Sequence, residues 1–245
     1  MQGFKRLPVS GIPNLRDLGG WAVLGGMTRY GVFLRSAVPQ HIEPGDWTLL
    51  IKTGLRTVID FRSAPECTRV PDPLGSMEGI EYINIPMFDA AAAGAALHVQ
   101  PEIHFDWAVH YIRMAEEQKA WMAEVLHTLA WTEGCTLFHC TTGKDRAGLI
   151  SALLLSLCGV CPEDVTADYC VSEIYLREMY GEMERQQQLC GGDLDCPFYR
   201  TEPSAMRAFL AYLTQEYGSA ADYLTACGLS GADAGRLKTR LCGKF

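Results

Sequence analysis

Residues 135–148 read Cys135-Thr136-Leu137-Phe138-His139-Cys140-Thr141-Thr142-Gly143-Lys144-Asp145-Arg146-Ala147-Gly148, and the apolar run Leu149 to Leu157 follows directly. The first five residues predict a short buried strand. The run after Arg146 is far too short to span a bilayer and predicts a buried helix from Arg146 to Cys158. A strand, a glycine-containing loop and a helix in that order make an anion site by geometry alone. Backbone N–H groups at a helix start lack intrahelical partners and carry the positive end of the dipole, which suits a phosphate dianion.

Each residue type in the loop fits that use. Gly143 lets the chain bend so that successive N–H groups point inward. Arg146 offers a planar fork that matches two phosphoryl oxygens, and Lys144 adds positive charge. The same field favours the thiolate of Cys140, and the thiolate is the nucleophilic form. The expected phosphate-binding stretch is Thr141, Thr142, Gly143, Lys144, Asp145, Ala147 and Gly148, with Cys140 attacking and Arg146 clamping. His139 is expected to orient the loop rather than act as a base, because a strand residue next to Cys140 points away from it. The pattern H-C-x-x-G-x-x-R-x-G fixes five positions, a coincidence on the order of 10⁻⁴ for ordinary composition.

Working outward, Thr57-Val58-Ile59-Asp60-Phe61 and Glu81-Tyr82-Ile83-Asn84-Ile85 read as strands, the first a buried one. Asn14 to Gly20 precedes a hairpin around Gly25-Gly26, which leads to Val32-Phe33-Leu34-Arg35-Ser36. Glu43-Pro44-Gly45-Asp46 starts a short helix with Leu49, Leu50 and Leu55 on its inner face. Met87 to Pro101 is rich in Ala and Gly and reads as a loop. One long helical segment is expected from Ile103 to Ala130, with Trp107, Tyr111, Met114, Trp121, Val125 and Leu129 as a core stripe. A further helix runs from Pro162 toward Leu189, followed by a polar insertion up to Pro203 and short helices divided at Gly218 and Gly228. Continuous apolar strands alternating with helices imply an α/β fold, a central mostly parallel twisted sheet flanked by helices. The expected organisation is a single domain over 1–245 with a helical embellishment at about 162–203.

Composition narrows the function. Of the 245 residues, 48% are hydrophobic and 20% charged, as in a globular protein with a real core. A net charge of −8 argues against a nucleic-acid partner. No apolar stretch suits a signal peptide or a stable membrane insertion, so the expected location is cytoplasmic. The ten cysteines are scattered along the chain and do not form a secreted disulfide framework. Cys158-Gly159-Val160-Cys161 lacks a second pair at zinc-like spacing, so neither a metal nor a cofactor is expected.

The Cys140-x5-Arg146 string resembles the signature of the protein tyrosine phosphatase superfamily. With its Lys144-Asp145 pair it is similar to the bacterial branch of tyrosine and dual-specificity phosphatases, some of which act on phosphoinositides. Asn14 to Gly20, Phe33 to Ser36, Val58 to Ser63 with Glu66, and Asp168-Tyr169 with Ser172 resemble that branch in the same order. The resemblance implies a protein tyrosine phosphatase-like fold, hydrolysis of phosphate monoesters through a cysteinyl-phosphate, and a phosphorylated protein or phosphoinositide as substrate. It also implies that the polar helices after Pro162 correspond to the lid of some relatives. Three carboxylates compete for the role of general acid. Asp145 lies inside the loop as in the lipid-phosphatase-like relatives, Asp89 follows a strand as the mobile acid does in others, and Asp60 sits at a strand end. Asp60 reads better as a structural partner of Arg62 or of the loop. Arg16, Arg35 and Arg62 either add positive charge near the site or pair with Asp17, Asp60 and Glu66 in a structural network.

One departure stands out. The family usually carries Ser or Thr after the loop arginine, where its hydroxyl helps the thiolate leave, and here that position is Ala147. A phosphate-binding pseudophosphatase is therefore one alternative. A rhodanese-like sulfurtransferase is another, since Val58 to Arg62 with Glu66 resembles a rhodanese strand. The 80 residues between Asp60 and Cys140 exceed the usual βαβ spacing for it.

Overall fold

The computed structural model describes residues 5–88, 106–187 and 200–243. The Ala- and Gly-rich segment from Asp89 onward, the start of the expected helix at Ile103 and most of the polar insertion lie outside the described residues. Strands β1 (Arg16–Asp17), β4 (Phe33–Ser36), β7 (Cys135–His139), β5 (Leu55–Asp60) and β6 (Glu81–Asn84) form one sheet in the order β1-β4-β7-β5-β6. All neighbours are parallel except the β1–β4 pair. A separate hairpin pairs β2 (Ala22–Val23) with β3 (Gly26–Met27), as the glycine pair predicts. No helix among the described residues is long and apolar enough to cross a membrane.

Side-chain alternation along the strands sorts the core into two layers. Phe33, Ile59 and Phe138 face one cluster, whereas Leu34, Val58 and Leu137 face the other. Helix α1 (Pro44–Lys52) covers the second face through Leu50, which is fully buried, and the N-terminal residues Leu7, Val9 and Ile12 join it. Helices α3 (Trp107–Glu117), α4 (Lys119–Trp131), α5 (Arg146–Leu157), α7 (Pro203–Tyr217), α8 (Ala220–Ala226) and α9 (Gly231–Cys242) cover the first. Burial on both faces is why the central strands are continuously apolar. The short α2 (Ala64–Arg69) follows β5.

The segment expected as one helix is two. Gln118, at φ −113° and ψ 27°, ends α3 and precedes α4. In an unbroken helix the carbonyl of Ala115 would accept the Lys119 N–H. Here it accepts the hydroxyl of Tyr223 at 2.8 Å, so a tertiary contact takes over the ladder. The apolar stripe keeps its spacing across the break, which is why periodicity predicts no interruption there. In the first half of helix α6 (Pro162–Gln187), Val165, Asp168, Tyr169 and Ser172 are buried.

Candidate active site

Strands β4, β5 and β7 end in register, Ser36 beside His139 and Asp60 beside His139. The loop 140–145 therefore leaves the sheet at its carboxyl edge, where α/β proteins bind ligands. Helix α5 begins at Arg146 with Asp145 as N-cap, and no side chain caps its first amides. They remain available to an anion.

Gly143 decides the shape of the loop. Its φ is +69°, and a Cβ there would stand 2.1 Å from the Ser36 carbonyl oxygen. With only a hydrogen at that position, the loop presses on the end of β4 and the Gly143 N–H donates to Cys140 Sγ at 3.3 Å. The Cys140 side chain is only 2% exposed.

The carbonyls of the loop are held from behind. Arg35 Nη2 donates to Gly143 O at 2.6 Å and to Lys144 O at 3.2 Å. Asn14 Nδ2 donates to Thr142 O at 3.0 Å. Asn14 itself sits at φ +59°, a left-handed conformation that Asn tolerates better than most residues. Its Oδ1 accepts from Arg16 Nη1 at 2.5 Å. Behind this layer Asp168 of α6 accepts from Arg16 Nε at 3.0 Å and from Arg35 Nη1 at 2.6 Å. Arg16 Nη2 also reaches Ser172 Oγ at 2.9 Å. Burial opposes ionisation of Asp168, but the two guanidiniums outweigh it and hold its carboxyl below the usual range. Burial, with Arg16 alongside, lowers Arg35 to about 10 against the pull of Asp168, which leaves it cationic at neutral pH.

The sequence-based pairing of these arginines needs correction. Arg16 does not pair with Asp17, because consecutive strand residues point to opposite faces. Asp17 accepts instead from the N–H groups of Gly19 at 2.8 Å and Gly31 at 2.7 Å. Arg62 does fork onto Asp60, with Nε at 3.0 Å from both oxygens and Nη2 at 2.7 Å from Oδ2. Tyr82 donates to the same Oδ2 at 2.6 Å.

Glu66 belongs to the loop arginine. Its Oε1 accepts from Arg146 Nη2 at 2.8 Å and from Thr141 Oγ1 at 2.6 Å, and its Oε2 accepts from Arg146 Nη1 at 3.1 Å. Ser63 N–H donates to Oε2 as well, at 2.9 Å, which is half of a capping box for α2. Burial would raise the Glu66 carboxyl, but Arg146, Thr141 and Ser63 together bring it down to about 2. Arg146 Nη1 also reaches Phe61 O at 3.3 Å, while its Nε has no acceptor among the described residues.

The remaining expected site residues take distinct places. Lys144 is 1% exposed, with its ammonium 4.0 Å above the Trp107 ring, 3.1 Å from Arg200 O and 3.7 Å from Asp145 Oδ1. Asp145 is 26% exposed and accepts from the Tyr111 hydroxyl at 2.6 Å through Oδ1. Ala147 is fully buried in the first turn of α5, and Gly148 lies against Arg35, whose Nη2 would be 3.1 Å from an added Cβ. His139 is fully buried, with Nε2 2.9 Å from Asp72 Oδ2 and Nδ1 3.2 Å from the Cys140 carbonyl oxygen. Asp89 lies outside the described residues.

Among the described residues, Asp60, Asp72 and His139 bring potential metal-ligand atoms within 4.8 Å of one another. Those atoms already bind one another and the Arg62 fork. Asp168, Asp72 and Tyr111 make contacts that local spacing does not reveal, whereas Glu66 has a local signal, its position three residues after Ser63.

A thiol that accepts the Gly143 N–H, on a loop that leads to uncapped helix amides, a fixed guanidinium and a partly exposed carboxyl, can hold a phosphoryl group for in-line attack. A family model described as the tyrosine phosphatase family matches residues 7–243. A tyrosine-protein phosphatase of Nostoc commune is 28% identical over 222 residues, spanning 85% of this chain and 74% of that protein. A triple specificity protein phosphatase of Mycobacterium tuberculosis is 26% identical over 277 residues, spanning 94% of this chain and 96% of that protein.

Proposed function

The chain belongs to the tyrosine phosphatase family, and from that premise we propose that Cys140 is the nucleophile, Arg146 and the loop amides the phosphate cradle, and Asp145 the proton donor. The Cys140 thiolate attacks phosphorus and the bond to the ester oxygen breaks. That oxygen leaves with the electron pair and takes a proton from Asp145. Water then attacks phosphorus, the S–P bond breaks back to the thiolate, and the water's proton returns to the Asp145 carboxylate. Arg146 and the amides stabilise charge on the equatorial oxygens throughout. The observation that carries this reading is the Gly143 N–H on Cys140 Sγ at 3.3 Å, inside a loop whose Thr142, Gly143 and Lys144 carbonyls are held by Asn14 and Arg35.

Asp145 is preferred over Asp60 on geometry. Both Asp60 oxygens are occupied by Arg62 at the back of the sheet edge, whereas Asp145 Oδ2 has no protein partner among the described residues. The substrates we propose are phosphotyrosine, and phosphoserine, phosphothreonine or phosphoinositide as wider possibilities. The relatives' names support a phosphoprotein substrate. We also read residues 1–245 as one phosphatase domain acting in the cytoplasm. The family assignment leaves the sulfurtransferase alternative without support.

Hydrolysis of para-nitrophenyl phosphate in EDTA and reductant, wild type beside Cys140→Ser, tests the assignment. Activity that survives EDTA and disappears in the variant is expected. Activity retained by Cys140→Ser would refute the nucleophile, and phosphate binding without wild-type turnover would make the chain a pseudophosphatase.

A further inference from the structure

Tyr111 lies in the core stripe of α3 and Tyr169 in the buried first half of α6, and the phosphoryl steps above do not use them. Their side chains are 0% and 1% exposed, their rings meet edge to face with centroids 5.8 Å apart, and their hydroxyls are 2.7 Å apart. Buried tyrosine hydroxyls need partners, and Tyr111 finds a second one in Asp145 Oδ1 at 2.6 Å. An ionised carboxylate only accepts. The one hydroxyl hydrogen of Tyr111 therefore goes to Asp145, and Tyr169 must donate to the Tyr111 oxygen.

The helices make this chain of donors rigid. Asp106 caps α3 by accepting from Ala108 and Val109 N–H, and Trp107, Tyr111 and Met114 then share its inner face. In α6, Asp168 points to the two arginines while its neighbour Tyr169 points to Tyr111. The Lys144 ammonium stands 3.7 Å from the same Asp145 oxygen. One carboxyl oxygen is thus pinned by buried groups, and the other is the one left for a leaving group.

We propose that Tyr111, backed by Tyr169, is the positioning residue that holds Asp145 for proton transfer. The inference rests on the reading of Asp145 as the proton donor. Asp145 touches Tyr111 from α3 and Lys144 in the loop, and it also interacts electrostatically with His110 from α3, Tyr169 and Tyr180 from α6 and Arg146 at the start of α5. Burial pushes the His110 imidazole below its usual range and the three tyrosines above theirs, so these groups keep one charge state at neutral pH.

The test is the pH dependence of kcat/KM with phenyl phosphate and para-nitrophenyl phosphate, for wild type, Tyr111→Phe, Tyr169→Phe and Asp145→Asn. Removing the Tyr111 hydroxyl takes a donor from the ionised carboxylate, so the proton is held longer and the basic limb moves up by about one pH unit. A looser Asp145 also lowers kcat, by roughly tenfold with phenyl phosphate, the poorer leaving group, and by less with para-nitrophenyl phosphate. Tyr169→Phe should move the limb the same way by a smaller amount. An unchanged limb and an unchanged substrate ratio in Tyr111→Phe, where Asp145→Asn has lost the limb, overturn the role of Tyr111 alone. An Asp145→Asn variant that keeps its basic limb overturns the proton-donor reading, and this inference with it. If the Tyr111→Phe melting curve shows it unfolded, the Tyr169→Phe limb decides between the same outcomes.

Discussion

Glu66 and Arg146 form a two-point ion pair, Oε1 to Nη2 at 2.8 Å and Oε2 to Nη1 at 3.1 Å, in which a helix-capping residue aims the loop arginine. The Glu66 carboxyl is depressed from 4.5 to about 2, so its stabilisation is present above about pH 4.5 and is lost as the pH falls toward about 2. We expect Glu66→Gln to cost about 2 kcal/mol at pH 7, discounted for the partial exposure of the pair. Urea titrations of both proteins across pH should show the gap closing below pH 4.5. A gap that stays constant down to pH 2 would contradict the assignment. The same variant should lose roughly ten- to a hundredfold in kcat/KM, because the guanidinium is no longer fixed.

Asp168 is the only carboxylate among the described residues that the structure places on both Arg16 and Arg35. Replacing it with Asn leaves two guanidiniums buried without a counter-charge, which costs about 3–5 kcal/mol. Arg35 would also lose the anchor that directs it onto the carbonyls of Gly143 and Lys144. A chemical denaturation midpoint reads the loss directly, and a change below about 1 kcal/mol would mean that the network does not carry load.

Gly143→Ala puts a Cβ where the Ser36 carbonyl oxygen already stands, in a left-handed conformation that costs a further 1–2 kcal/mol or so. The loop must move to relieve the contact, and the Gly143 N–H then leaves Cys140 Sγ. Vanadate inhibition and turnover should both fall by about a hundredfold or more. Unchanged vanadate affinity would show that the amide does not line the anion site.

The loop was legible because its chemistry is local. Strand, cysteine, glycine, arginine and helix follow one another within 135–157, and the period change marks each boundary. The braces were not legible as contacts. Asp168 reaches Arg16 across 152 residues, and Tyr111 reaches Asp145 across 34, so no spacing rule links them. The residues Asp168, Tyr169 and Ser172 stand out only through a family likeness, which gives an order along the chain but no partner. Strand alternation could have excluded the Arg16–Asp17 pair, since the two are neighbours on β1. The break at Gln118 left no trace in the apolar stripe, and the group that takes the Ala115 carbonyl there, the Tyr223 hydroxyl, lies 108 residues away in the sequence.

Ala147 gives the kinetic prediction. Departure of the Cys140 thiolate from phosphorus develops charge on sulfur, and a hydroxyl in the first helical turn would stabilise it. Ala147 has none and is fully buried. Of the two loop hydroxyls that could replace it, that of Thr141 already donates to Glu66 Oε1 at 2.6 Å. Breakdown of the cysteinyl-phosphate should therefore limit turnover, and rapid mixing with para-nitrophenyl phosphate should show a burst of product near one equivalent followed by a slow phase. Ala147→Ser should raise the slow phase by roughly tenfold and diminish the burst. A linear wild-type trace would place the slow step at phosphoryl transfer and shift attention to Thr142, whose oxygen accepts the Lys144 N–H at 3.4 Å and whose hydroxyl would then serve the departing sulfur.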